Sequence, residues 1–270
     1  DGRACKTILE MAEEKGLSTG IIATSTITHA TPASYASHVV SRGMQAEIAE
    51  QYLDSNVEII LGGGLDYFVP SSADESSRED DLDLTKMFID KGYDFVQNLN
   101  ELNSSNGDQI LGLFSNSGMP SENRTPTLAE MTSKAIEVLS TNDEGFFLMV
   151  EGSQIDWAGH GNDADYLLRE VKDFDAAIEQ ILNFAKEDGE TLVVVTADHE
   201  TGGMTLQGAN SDMNELEIVW TSGGHTGIPV PLMAYGPHAV EFTGWWDNTE
   251  VGIKVAELLG VGEFPLIIEE

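Results

Sequence analysis

The stretch Thr-Leu-Val-Val-Val-Thr-Ala-Asp-His-Glu-Thr-Gly-Gly-Met, residues 191–204, limits the folds open to this chain more than any other. Leu192 to Val195 is an unbroken apolar run rich in β-branched residues, the pattern of a strand buried on both faces in a parallel sheet covered by helices. It delivers Asp198 and His199 to its carboxyl end, where ligands bind in an open α/β sheet. Carboxylate and imidazole with two glycines behind them make half of a zinc site. A capping aspartate beside a partly exposed histidine is the plainer reading of the same pair.

The rest of the chain repeats the alternation of strand and helix. Helical spacing of apolar residues runs from Lys6 to Lys15 and stops at Gly16; Gly20 to Ile27 reads as a strand. In the following Thr28-His29-Ala30-Thr31-Pro32, Thr31 is placed to cap a helix beginning at Pro32, on which His38 and Arg42, four apart, share a face. A helix from Met44 to Leu53 and a buried strand from Val57 to Leu61 follow. Residues 71–83 alternate acids with serines but lack the glycine and terminal glutamate of a calcium loop, so they read as a solvated loop.

Further on, a short helix at Leu84 to Asp90, strands near 94–97 and 109–114, and a Thr127-capped helix from Leu128 to Leu139 lead to a buried strand, Phe146 to Val150. That strand stops at Glu151-Gly152. A long helix, Ala164 to Lys186, carries an apolar stripe through Leu167, Leu168, Val171, Phe174, Ile178, Ile181 and Leu182, which predicts a core-facing side. Strand, helix and strand then predict a right-handed parallel crossover, bringing Glu151 and Asp198 to one edge of one sheet. The polar residues 205–220, a strand at Pro231 to Tyr235 and a helix from Asn248 to Leu259 complete the chain. The expectation is one α/β domain over 1–270, a mostly parallel central sheet with helices on both faces and a polar insertion near 205–220.

Asp and Glu number 47 against 13 Lys and Arg, a formal charge of −34 over 270 residues. Spread over the roughly 11,000 Å² surface of a folded chain this size, that is one net negative charge per about 340 Å². Nucleic acid and anionic membrane are therefore poor partners. Such a surface fits work in salt, where screening relieves self-repulsion, as well as simple solubility. The single cysteine, Cys5, rules out an internal disulfide, and no segment is apolar for long enough to span a membrane.

The chemistry gathers at three strand exits. Asp156 and His160, four apart, can meet one ion from a single turn, although Gly159 and Gly161 argue against regular helix there. His225, in a Gly-Gly-His-Thr turn, is a plausible third ligand, and two imidazoles with one carboxylate and a free fourth position form a catalytic zinc set. Glu151 with Thr31 suits a harder ion such as Mg²⁺. Arg42 offers a planar fork for phosphate, or is a surface arginine.

Taken together, Ala30-Thr31-Pro32-Ala33 with Ser41-Arg42, the run from Pro126 to Thr132, Glu-Gly-Ser-Gln-Ile-Asp from Glu151, Asp-His-Glu-Thr-Gly-Gly from Asp198 and the turn at His225 resemble alkaline phosphatase, in the family's order over essentially the whole chain. The resemblance implies that Asp156, His160 and His225 hold one zinc, Asp198 and His199 a second, and Thr31 and Glu151 a magnesium. It implies that Arg42 binds two phosphate oxygens, and that His29 and Trp157, as in a bacterial cold-adapted branch, line the substrate site. The implied reaction is hydrolysis of small phosphate monoesters to inorganic phosphate, in two in-line steps through a phosphoserine. A homodimer exported to periplasm or medium is implied as well.

The family's Asp-Ser-Ala segment, which carries the nucleophile, is not in this sequence, and Asp54-Ser55 lies at a predicted helix end in the wrong order. Asp198 and His199 are also too few for a tetrahedral zinc. The expectation is therefore a chain lacking the N-terminal, nucleophile-bearing part of a phosphatase and inactive alone. A phosphodiesterase or sulfatase of the same superfamily would not need Arg42 and the magnesium ligands. An inactive metal-binding protein is the remaining alternative.

Overall fold

The computed structural model describes residues 3–212 and 216–268. The chain divides into two compact units, Asp1–Glu151 with Trp246–Glu270, and Gly152–Trp245.

The first unit is built on a five-stranded parallel sheet. In chain order it runs α1 (Ile8–Glu14), β1 (Ser18–Thr26), α2 (Ala30–Ala36), α3 (Gln45–Asp54), β2 (Ile59–Gly63), α4 (Leu84–Lys91), β3 (Asp94–Val96), α5 (Leu99–Ser104), β4 (Ile110–Leu113), α6 (Leu128–Leu139) and β5 (Phe146–Glu151). The strand order is β3-β4-β2-β1-β5. Ile21 and Ala23 face a core shared with α1, α2, α3 and α4. Gly20, one residue out of phase, lies under Leu139 of α6 on the other side. Residues on both faces of β1 are fully buried, as a strand between two helical layers requires, and each large aliphatic side chain taken from water there contributes about 1.5–3 kcal/mol. The helix Asn248–Leu259 returns to pack on α1, and the backbone beyond it pairs with the chain start through Lys6 N–H to Leu266 O, 2.7 Å, and Ile268 N–H to Ala4 O, 2.9 Å.

Thr127 caps α6 as expected, in a capping box with Glu130. The start of α2 differs. It begins at Ala30 with His29 as N-cap, so Thr31 lies in its first turn and caps nothing, while Pro32 is tolerated there because first-turn N–H groups have no helical acceptor. It also ends early. Ser37 is extended, and Gln51 of α3 takes both backbone groups of His38, at 2.6 and 2.9 Å, so His38 and Arg42 share no helical face. His38 turns instead to Glu10, 2.8 Å away. Residues 71–83 are mostly exposed but strapped down: the Arg78 side chain is completely buried and reaches Asp80, Glu50 and the carbonyls of Ala46 and Tyr67.

The second unit contains α7 (Gln154–Gly161), α8 (Ala164–Asp188), β6 (Val193–Val195), β7 (Glu200–Thr201), β8 (Thr205–Ala209), β9 (Leu216–Val219), β10 (His225–Thr226) and β11 (Met233–Tyr235). Its strands form antiparallel pairs, β6 with β11, β7 with β10 and β8 with β9. The predicted crossover is thus corrected: β6, only three residues long, pairs antiparallel with β11 in a two-stranded sheet and is not a strand of the five-stranded parallel sheet. The stripe of α8 is correspondingly less covered than predicted, with Ala177 and Ala185 buried but Leu168 52% exposed. Within the polar stretch 205–220, β8 pairs antiparallel with β9 and is exposed throughout.

Candidate active site

Asp156 and His160 lie on α7, which is regular helix to Gly161 despite its glycines. Gly159 is there for clearance: a Cβ would stand 2.8 Å from the carbonyl oxygen of Thr201, so only glycine lets β7 lie against the helix. Gly202 complements it, at φ +89° with Trp220 and the Gly159 carbonyl where a side chain would be. β10 pairs with β7 so that His225 stands opposite Thr201. Three distant stretches thereby converge, and one ligand atom from each of Asp156, His160 and His225 lies within 4.8 Å of the others.

These residues fit a zinc ion. Asp156 Oδ1 is 3.5 Å from His160 Nε2 and 3.7 Å from His225 Nε2, close to the roughly 3.3 Å edge of a tetrahedron with 2.0–2.1 Å bonds. His160 Nδ1 lies 2.9 Å from the Gly223 carbonyl, an acceptor only, so that nitrogen carries the proton. In the neutral ring Nε2 is then a lone pair facing a carboxylate oxygen, an arrangement that a cation relieves.

Asp198 is exposed and His199 half-buried, with His199 Nε2 3.3 Å from Asp198 Oδ2. The His199 ring stacks on His225, centroids 3.6 Å apart and 24° between planes, which sets Asp198 and His199 beside the Asp156, His160 and His225 group. Thr201 touches both: its hydroxyl lies 2.6 Å from Asp156 Oδ1 and 3.2 Å from His199 Nδ1. The sequence reading missed Thr201, though its spacing held a signal, since residues two apart in extended chain share a side. Glu200 between them faces the other way, binding the Gly203 N–H at 2.8 Å and the Thr226 hydroxyl. Trp157 follows Asp156 on α7 and is half-buried.

In the first unit, Thr31 follows the carboxyl end of β1, and Glu151 closes β5. The turn after β1 is held by Gln45, whose side-chain oxygen accepts from Thr26 at 2.7 Å and Thr28 at 2.9 Å while its amide donates to Tyr67 at 3.0 Å. Tyr52 is fully buried beneath, donating to the Ile27 carbonyl at 2.8 Å; burial, and then the negative charge of Glu151, push its phenol well above the usual range. Arg42 is exposed on the loop after α2, and its guanidinium donates to His29 Nε2 at 3.2 Å. Ser55 is excluded as a nucleophile in this fold: it caps α3 and its hydroxyl donates to the Tyr52 carbonyl at 2.8 Å.

A parallel sheet with helices on both faces, together with a carboxylate and two imidazoles gathered from α7 and β10, belongs to an α/β protein with a candidate metal site. Residues 1–217 match the family model for alkaline phosphatase. Alkaline phosphatase 3 of Bacillus subtilis is 36% identical, over 96% of this chain and 71% of that protein. The structure of alkaline phosphatase from the Antarctic bacterium TAB5 superimposes with a TM-score of 0.86 at 38% identity, over 95% of this chain and 76% of that one. A His-to-Asp variant of the TAB5 enzyme, described with Mg bound in its M3 site, matches at 0.84 and 37%, over the same shares. The chain belongs to the alkaline phosphatase family.

Proposed function

We propose that this chain carries the metal- and phosphate-binding machinery for hydrolysis of small phosphate monoesters by a two-zinc, one-magnesium site. The observation that supports it most is the convergence of Asp156, His160 and His225 within 4.8 Å, a half-buried carboxylate and two exposed imidazoles. These three would hold one zinc, Asp198 and His199 would contribute to a second, and Thr31 and Glu151 would serve magnesium. Zinc so held supplies Lewis acidity toward phosphoryl oxygens, and magnesium adds positive charge.

The chain's own residues then bind and orient. Arg42 presents two parallel N–H groups to two phosphate oxygens, with His29 Nε2 holding the guanidinium from one side. Trp157 borders Asp156 as part of the substrate wall. The chain's formal −34 does not prevent an anion from binding, because that field is screened within about 8 Å at physiological ionic strength, whereas Arg42 acts at contact distance. The reaction runs through a phosphoserine whose serine is not among these 270 residues. Export to periplasm or medium and assembly as a homodimer belong to the same proposal.

The test uses the 270-residue chain after chelator treatment. Zinc is expected to bind tightly, to be lost in His225→Ala, and to bring with it inorganic phosphate binding that Arg42→Ala weakens, without turnover of p-nitrophenyl phosphate. Failure to bind zinc refutes the site; steady turnover refutes the placing of the nucleophile elsewhere.

A further inference from the structure

Thr201 stands outside every ligand set named above, yet its one hydroxyl touches both. A carboxylate only accepts, so at 2.6 Å the hydroxyl proton must go to Asp156 Oδ1. The oxygen is then left to accept, and the group facing it at 3.2 Å is His199 Nδ1, so this contact favours the ring proton on Nδ1, against the pull of Asp198 Oδ2 on Nε2 at 3.3 Å. With Nδ1 protonated, the neutral ring keeps its lone pair on Nε2, the nitrogen 3.3 Å from Asp198 Oδ2. One hydroxyl thus orients the carboxylate of the first cluster and selects the tautomer of the second.

From this geometry we infer that Thr201 is a positioning residue that presents Asp156 and His199 to metal together. The inference rests on the metal site proposed above, but its main consequence, the tautomer of His199, exists without metal. The surroundings are built for it. Thr201 is held opposite His225 by β7–β10 pairing, and is brought within reach of α7 only because residue 159 has no Cβ. Glu200, pointing the other way, ties the same ribbon to Thr226 and Gly203. His160 obtains the same tautomer from a different acceptor, the Gly223 carbonyl, so both histidines present Nε2.

The experiment compares wild type, Thr201→Val, which keeps the shape and removes the hydroxyl, and Thr201→Ser, which restores it. Two-bond ¹H–¹⁵N spectra of the histidine-labelled, chelator-treated full chain read the tautomer. In wild type and Thr201→Ser, His199 is expected with its proton on Nδ1, and in Thr201→Val that preference is lost. Zinc competition against a chromophoric chelator is expected to show Thr201→Val binding about 10–100-fold more weakly, and Thr201→Ser within about threefold of wild type. A wild-type His199 protonated on Nε2 overturns the inference, as does equal weakening in both variants or none in Thr201→Val. If wild type has the expected tautomer but binds no zinc, the proposed function fails and the role of Thr201 in setting His199 stands.

Discussion

At the amino end of the sheet, away from the ligand-bearing strand ends, two carboxylates close on one residue. The Thr19 hydroxyl donates to Glu13 of α1, and the Thr19 N–H donates to Glu58 at 2.7 Å. Burial, followed by the repulsion of Glu58 and against the pull of the Thr19 hydroxyl, raises Glu13 to about 7 from 4.5. Because the native value lies above the unfolded one, the fold favours the protonated acid. Its contribution is intact below pH 4.5, declines as the unfolded chain alone gives up its proton, and is fully lost above pH 7. The 2.5-unit difference corresponds to about 3.4 kcal/mol, and since Glu13 is only half-buried, solvent screening reduces this to about 1–2 kcal/mol. Glu13→Gln removes the charge and keeps an oxygen for the Thr19 hydroxyl. It is expected to raise unfolding free energy by about 1–2 kcal/mol at pH 8.5 and by about a quarter of that at pH 5, measured by urea denaturation followed by circular dichroism. A gain that is absent at pH 8.5, or equal at both pH values, refutes the reasoning.

Arg78→Ala leaves the half-exposed Glu50 and Asp80 to water but frees two carbonyls and empties a buried site, at an expected cost of about 1–3 kcal/mol; hydrogen exchange should rise first across 71–83, and unchanged protection there would show that the strap is not what orders the segment. The acidic surface predicts a thermal midpoint that climbs with NaCl as the screening length falls from about 10 Å at 0.1 M to about 3 Å at 1 M, and a flat response would remove salt adaptation as the reason for the charge.

Elements whose signal is local were legible in the sequence. The Thr127 cap and the helix after Asn248 form where their residues say, and β2 forms at Ile59–Gly63, two residues on from the expected Val57 to Leu61, because caps and short-range periodicity act within a turn or two. Pairing was not legible. Nothing in Val193–Val195 distinguishes a parallel from an antiparallel neighbour, and the partner that decides it, Met233–Tyr235, lies 38 or more residues on. The candidate ligands Asp156, His160 and His225 could be read from residue type at strand exits, and the structure brings them together. Thr201 escaped because its residue type stands out less than the carboxylates and imidazoles around it; its part depends on a close approach to Gly159 that only the fold reveals. For the same reason the helical face imagined for His38 and Arg42 failed, since Gln51, thirteen residues past His38, ends that helix's reach.

The ribbon that carries His225 has two residues in each strand. A pairing so short has little persistence of its own in water. Any ligand gripped at once by Asp156 on the helix and His225 on the ribbon therefore spends part of its binding free energy ordering the ribbon, and apparent affinity reports local folding as well as coordination. Occupancy and local order at this corner of the protein form a single equilibrium, so a substitution that only steadies the ribbon would tighten binding without touching a ligand.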